Sequence, residues 1–222
     1  VFQRTSPILD SRAMPTYKLT YFDIRGLGEV ARQQLHLSGT PFEDDRVHND
    51  DWMSGAMRKE STPFGQLPVL EVDGQPMPTS LAINRYLAKQ FGFAGKTPLE
   101  EALVDAIADQ WMDYFDEVKP FLLTTHGLWP GEVTEEQKQR AEDGMAKHLP
   151  LFEQFAKDHG TFGHLVGTSL TWIDLLMTDH FRSILAYFPD ALNGYPALSG
   201  VKKVMGQHSK LREWRDTHDQ PF

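Results

Sequence analysis

The sequence predicts an α/β layer with a mixed four-stranded sheet, followed by an all-helical unit that fills the rest of the chain. Short β-prone runs alternate with helical patterns as far as Phe91, and beyond Pro98 the strands stop while helical periodicity continues. A proline stands directly before the apolar run Val69 to Val72, with Asp73-Gly74 at its far end. That arrangement fits a strand that starts at a special turn and ends in a tight hairpin.

Tyr17 to Phe22 is the first strand, with Leu19 and Tyr21 on one face. Gly26 and Gly28 punctuate it, and Glu29 to Ser38 reads as a helix with Val30, Leu35 and Leu37 as apolar positions, stopped by Gly39. Phe42 to Val47 is a second strand, polar enough to lie near an edge, and Asp51 to Glu60 is a weak helix or irregular segment. Val69 to Val72 pairs with a short piece near Met77, and Ser80 to Phe91 follows as a helix. The order β-α-β-α-β-β-α describes a thioredoxin-like layer.

Phe91 to Pro98 reads as a linker. Leu99 to Leu123 is a long helix with Leu103, Ile107, Trp111, Tyr114 and Val118 at spacings of three and four. Thr134 to His159 is a second, with Met145, Leu149, Phe152 and Phe155 on its apolar side and Pro150 as a place for a bend. Thr171 to Tyr187 is a third, opened by the capping pair Thr171 and Asp174, and shorter helices fit Ala197 to Met205 and Lys210 to Thr217. The expected division is residues 14–92 and 98–222. Residues 1–13 are set apart as a leader or flexible extension, because Met14-Pro15-Thr16-Tyr17 looks like a natural start.

Composition removes several classes of function. The 222 residues carry 22 basic and 31 acidic side chains, a net charge of −9, which speaks against a nucleic-acid partner. Cysteine is absent, so disulfide exchange, thiolate metal sites and a cysteine nucleophile are excluded. No apolar run approaches the roughly 20 residues of a membrane span. A cytoplasmic protein without a membrane partner is expected, and the nine histidines show no metal spacing.

The segment Phe64-Gly65-Gln66-Leu67-Pro68, followed by Val69 to Gly74 and then Thr79-Ser80, has a reading of its own. A cis bond at Leu67-Pro68 would turn the Leu67 backbone outward to pair with a ligand's amides. Thr79-Ser80 places hydroxyls at a helix start, where free N–H groups and the helix dipole attract a carboxylate; the same serine would serve as a plain cap. The segment reads as a cradle for a peptide and its carboxylate.

Together with Leu19-Thr20-Tyr21-Phe22-Asp23-Ile24-Arg25-Gly26, this pattern resembles the cytosolic glutathione transferases, most closely their sigma-like class. That class includes invertebrate transferases and the haematopoietic type of prostaglandin D synthase. The resemblance implies that Tyr21 is catalytic and touches glutathione, and that the Trp52 indole binds its glycine carboxylate with help from Lys59 or Arg58. It further implies that Gln66, Leu67 and Pro68 hold the cysteinyl unit, and that Thr79 and Ser80 hold the γ-glutamyl carboxylate. Thr79 departs from the usual glutamine, and Met53 to Ser61 is longer than in relatives. Asp113 would reach across a two-fold homodimer to the γ-glutamyl ammonium of the neighbour's ligand.

The chemistry of Tyr21 can be stated independently. A hydroxyl donating to bound sulfur favours the thiolate by about 1.5–3 kcal/mol, or roughly one to two pKa units. A half-buried strand aromatic is the plain alternative. Asp105, Asp109 and Asp113 share one helix face. Such like charges are a poor use of a solvated stripe, and Met112 stands where a metal-binding relative carries an acid, so no metal is expected. A hydrophobic electrophile would lie against Phe22 and Phe115. The expected function is glutathione conjugation or peroxide reduction with no cofactor beyond glutathione as co-substrate. Prostaglandin isomerisation in the same site, or a non-catalytic crystallin-like protein, are the rivals.

Overall fold

The computed structural model describes residues 14–55, 62–161 and 163–218. The expected leader 1–13 and the candidate cations Arg58 and Lys59 lie outside the described residues. Four strands, β1 (Tyr17–Phe22), β2 (Glu43–Val47), β3 (Val69–Val72) and β4 (Gln75–Pro78), form one sheet in the order β2-β1-β3-β4. β1 runs parallel to β2 and antiparallel to β3, and β3 and β4 form an antiparallel hairpin closed by Asp73-Gly74, both at positive φ. The mixed sheet is the one expected. Its polar strand β2 (Glu-Asp-Asp-Arg-Val) is at an edge, where one row of backbone groups needs no strand partner.

Helix α1 (Glu29–Ser38) ends at Gly39, whose φ of 72° is the left-handed cap that glycine adopts without penalty. Of the weak segment Asp51 to Glu60, the first three residues belong to a five-residue helix that starts earlier, α2 (Asn49–Met53), and residues 56–60 lie outside the described residues. Helix α3 (Ser80–Phe91) packs beside α1 on the sheet. Both helices are two-faced. Ala31, Leu35, Ile83 and Leu87 join Tyr17, Leu19 and Leu70 in one core, while Val30, Leu37 and Ala88 turn to a second, larger core of the helical part. This sharing couples the two parts of the molecule through α1 and α3.

The helical part comprises α4 (Pro98–Thr125), α5 (Glu135–His159), α6 (Trp172–Leu185), α7 (Pro196–Gln207) and α8 (Ser209–Thr217). Thr97 caps α4 by accepting the Glu100 N–H at 3.1 Å, and Thr134 with Gln137 forms a reciprocal capping box on α5, which runs through Pro150. At α6 the buried Asp174 carboxylate does most of the capping. It receives the Thr171 N–H at 2.8 Å, the Thr171 hydroxyl at 3.0 Å and the Leu165 N–H at 2.8 Å. α6 is buried along nearly its whole length, which its apolar run required. Among the described residues no helix is long and apolar enough to cross a membrane.

Candidate active site

Tyr21 is the next-to-last residue of β1, and strand alternation puts it with Leu19 on the buried face. Its hydroxyl oxygen accepts the Leu27 backbone N–H at 3.0 Å. That bond uses a lone pair and leaves the phenolic proton to be given elsewhere. Two glycines make the pocket for the ring. A Cβ at Gly28 would sit 2.5 Å from Tyr21 Cδ1, and one at Gly26 would sit 2.6 Å from the hydroxyl oxygen. Burial pushes the Tyr21 pKa up to about 12, against the smaller opposing pulls of the Leu27 N–H and the Arg32 charge. At neutral pH Tyr21 is therefore a phenol, fit to donate a hydrogen bond and unfit to accept a proton.

The turn after β1 is held by two buried arginines. Arg32 on α1 donates to Asp44 Oδ1 at 2.9 Å and to the carbonyls of Ile24 and Phe22 at 2.7 and 3.1 Å. Arg25 crosses to α6, where it meets Asp179 Oδ1 at 2.5 Å and Ser183 Oγ at 3.0 Å. Breaking such a pair leaves an uncompensated buried charge, so it fixes where the helical part stands against Tyr21.

Between the sheet and the helices lies a cavity of about 380 Å³. Its sheet side includes Tyr21, Phe22, Leu67 and Trp52; its helical side includes Trp111, Phe115, Leu176 and His180, with Leu128 to Pro130 from the α4–α5 loop. The expected pair Phe22 and Phe115 both line it. Trp52 is not a surface tryptophan: it is 6% exposed, on α2, with its ring perpendicular to Phe22 at 5.8 Å. Leu67-Pro68 is cis.

Gln66, Pro68, Thr79 and Ser80 are not among the residues lining this cavity. Gln66 and Pro68 lead into β3, and Thr79 and Ser80 open α3. Thr79 is exposed and holds φ 71°, a left-handed conformation that costs a β-branched residue on the order of 1–3 kcal/mol. Its side chain makes no cap hydrogen bond, and among the described residues no side chain accepts a first-turn N–H of α3, which leaves those groups to an anion.

The acidic face of α4 divides. Asp105 and Asp109 are paired with Arg85 on α3, Asp105 at 2.8 Å and Asp109 by a short contact. Neither a solvated stripe nor a ligand is needed to explain them. Asp113 is exposed and has no ion-pair partner among the described residues. No group of three or more metal-ligating side chains occurs among the described residues.

Four polar residues near the cavity escaped the reading of the sequence: Arg25, Asp179, His180 and Ser183. Leu176, Asp179, His180 and Ser183 stand at i, i+3, i+4 and i+7 of α6, so they share a face. That spacing was visible in the sequence. It pointed to one face of a helix and not to what the face covers.

Two family models match the chain: "Glutathione S-transferase, N-terminal domain" over residues 17–89 and "Glutathione S-transferase, C-terminal domain" over residues 124–218. "Glutathione S-transferase 1" of Ascaris suum is 45% identical over 90% of this chain and 96% of its own length. Among solved structures, a monomeric glutathione S-transferase of the hookworm Necator americanus superposes with a TM-score of 0.82 at 39% identity, covering 91% of this chain and 97% of its own. A Nu-class transferase from Haemonchus contortus gives 0.78 at 39%, covering 92% and 98%. A prostaglandin synthase D of Nilaparvata lugens gives 0.76 at 28%, covering 92% and 99%. The likeness extends over both structural parts and over the strand that carries Tyr21, and the chain belongs to the glutathione S-transferases, enzymes that take glutathione as their co-substrate.

Proposed function

We propose that this transferase activates glutathione through Tyr21, whose phenol donates its proton in a hydrogen bond to the thiol sulfur and holds it as thiolate. The observation that carries this reading is the Tyr21 hydroxyl itself. It accepts the Leu27 N–H at 3.0 Å, stays protonated at neutral pH and borders the cavity. The thiolate then attacks a hydrophobic electrophile held against Phe22 and Phe115, or reduces an organic peroxide. Most of the rate comes from forming the thiolate and from bringing two reactants together.

The tripeptide is read as lying along the sheet side. Trp52, with Lys59 or Arg58, takes the glycine carboxylate, Gln66, Leu67 and Pro68 the cysteinyl unit, and Thr79 and Ser80 the γ-glutamyl carboxylate. The uncapped start of α3 supports the last assignment. The unpaired Asp113 supports a homodimer in which it meets the partner's glutathione, although one similar hookworm enzyme is monomeric. A sigma-like class, a cytoplasmic location, and domains at 14–92 and 98–222 complete the reading; the gap between Phe91 and Pro98 supports that boundary. Prostaglandin endoperoxide isomerisation is a second reading, favoured by the likeness to a prostaglandin synthase D.

Tyr21→Phe tests the mechanism. Turnover at pH 7 should fall roughly 10- to 100-fold, the equivalent of losing a bond of about 1.5–3 kcal/mol, with glutathione affinity within a few fold of wild type. Full turnover in the Phe variant would overturn it. Product analysis with a prostaglandin endoperoxide separates isomerase from general transferase.

A further inference from the structure

We infer that His180 is a catalytic hydrogen-bond donor to the second substrate, its Nδ1–H binding the oxygen on which negative charge develops as the thiolate adds. The inference rests on the activation of glutathione by Tyr21 described above and assigns the opposite wall a part in the reaction.

His180 sits on α6, is 5% exposed and lines the same cavity as Tyr21. Three rings fix its plane: it stands edge-on to Trp111 at 5.6 Å, Tyr114 at 5.1 Å and Phe115 at 6.2 Å. Its Nε2 is 2.9 Å from the Tyr114 hydroxyl oxygen. Tyr114 is fully buried, and this is its one hydrogen bond among the described residues. A buried hydroxyl that withholds its proton from an available acceptor forfeits roughly 1–3 kcal/mol. Tyr114 therefore donates to Nε2, which assigns the ring proton to Nδ1.

Nδ1 has no hydrogen-bond partner among the described residues, yet it is not one of the enclosed orphan atoms. The indole N–H of Trp111 on the same wall also lacks a partner, but it is fully enclosed. Asp179 and Ser183 are engaged by Arg25, and Lys119 is engaged by Asp116 at 2.6 Å. The Ser183 hydroxyl, which only accepts from Arg25, and the Lys119 ammonium keep protons that rotate, whereas ring packing and Tyr114 fix the direction of the His180 Nδ1–H. Burial, and secondarily the Arg25 charge, pull its pKa down to about 3, so it remains a neutral imidazole throughout the working range. A neutral donor polarises an oxygen without giving up its proton.

The class of electrophile follows from this. When the thiolate adds to an α,β-unsaturated carbonyl, the S–C bond forms at the β-carbon. The alkene pair moves into the bond toward the carbonyl carbon, and the carbonyl pair moves onto oxygen. The resulting enolate collects a proton from water at the α-carbon, and His180 keeps its own. In the displacement of a benzyl halide the charge leaves with the halide, and no oxygen asks for a donor.

The test compares kcat/KM for an α,β-unsaturated aldehyde with kcat/KM for a benzyl halide, in wild type and in four variants. In His180→Phe the aldehyde-to-halide ratio should fall by roughly tenfold or more, the loss of one hydrogen bond to a developing charge. Any loss common to both substrates reports packing and cancels in the ratio. His180→Asn restores an amide N–H near the place of Nδ1 and should bring the ratio back to within a few fold. Tyr114→Phe frees the tautomer and should give an intermediate ratio. An unchanged ratio in His180→Phe, or in His180→Asn a ratio as low as that of the Phe variant, would overturn the inference. Tyr21→Phe should slow both substrates at constant ratio, so a failure of the Tyr21 reading appears in that variant alone.

Discussion

The two walls of the cavity are built by opposite means. On the sheet side, position is set by backbone: Tyr21 is a strand residue, its hydroxyl is held by a main-chain N–H, and two glycines leave its ring no slack. On the helical side, the Arg25–Asp179 pair sets where the wall stands, and within the wall side chains are placed by packing, such as Trp111 and Phe115, whose rings stack at 4.7 Å and 12°. The difference separates two tasks. In the proposed mechanism the step shared by all electrophiles, making the thiolate, falls to the wall that backbone geometry fixes. Choice of electrophile falls to side chains that can change one at a time without moving Tyr21.

The sharpest way to break this contrast is Gly28→Ala. Gly28 has φ −88° and ψ −20°, right-handed helical values that alanine accepts freely, so the backbone gives no reason to object. The added methyl would nonetheless meet Tyr21 Cδ1 at 2.5 Å, and the ring must shift. Turnover should fall about 10- to 100-fold for every electrophile, as in Tyr21→Phe, and the pH at which the rate rises should move up toward that of free glutathione. Gly92→Ala provides the comparison. Gly92 sits at φ 80° with open space around it, so that change costs stability and leaves the pH profile alone. A wild-type rate in Gly28→Ala would mean that the sheet wall has the slack its geometry denies.

Phe115→Leu probes the other wall. It keeps an apolar side chain of similar reach and removes the stack on Trp111, an interaction of about 0.5–1.5 kcal/mol. The KM for a hydrophobic aryl electrophile should rise roughly two- to tenfold, with glutathione affinity and the pH profile unchanged. Steady-state kinetics varied in each substrate separately distinguishes these outcomes. A loss of glutathione affinity of the same size would show that the walls are not independent.

How much of this was legible in the sequence follows the same divide. The sheet side was readable because its signals are local. Pro68 before an apolar strand, Asp73-Gly74 in a turn and Gly39 after a helix each act through the backbone of their own segment, and α1 and α3 end at the left-handed glycines Gly39 and Gly92. The helical side was readable only as helices. Nothing local distinguishes His180 from a buried core histidine, because its meaning comes from Tyr114 on α4, 66 residues away. The roles of Asp105 and Asp109 depended likewise on Arg85, some twenty residues earlier and on another helix. Pairings across elements are set by the fold, and periodicity within one element cannot name the partner.

The smallest expected effect concerns the joint between the two parts. Glu29 on α1 is 2% exposed and accepts the Trp214 indole N–H from α8 at 2.7 Å and the Gln33 amide at 3.1 Å. Burial, reinforced by the Asp179 charge, pushes its pKa up to about 7 from 4.5, against the pulls of Trp214, Gln33 and Arg32. The folded state therefore binds a proton between pH 4.5 and 7 that the unfolded chain has released, so stability is lost as pH rises through that window. Glu29→Gln keeps an oxygen for Trp214 and removes the titration. Its melting temperature relative to wild type should rise by a few degrees between pH 5 and pH 8, with the fluorescence of Trp214 following the same transition. Parallel curves for the two proteins would show that Glu29 titrates as a free carboxylate and that α8 is held by packing alone. The joint would then belong with the helical wall, whose parts are fixed by shape, and not with the sheet wall, whose parts are fixed by polar geometry.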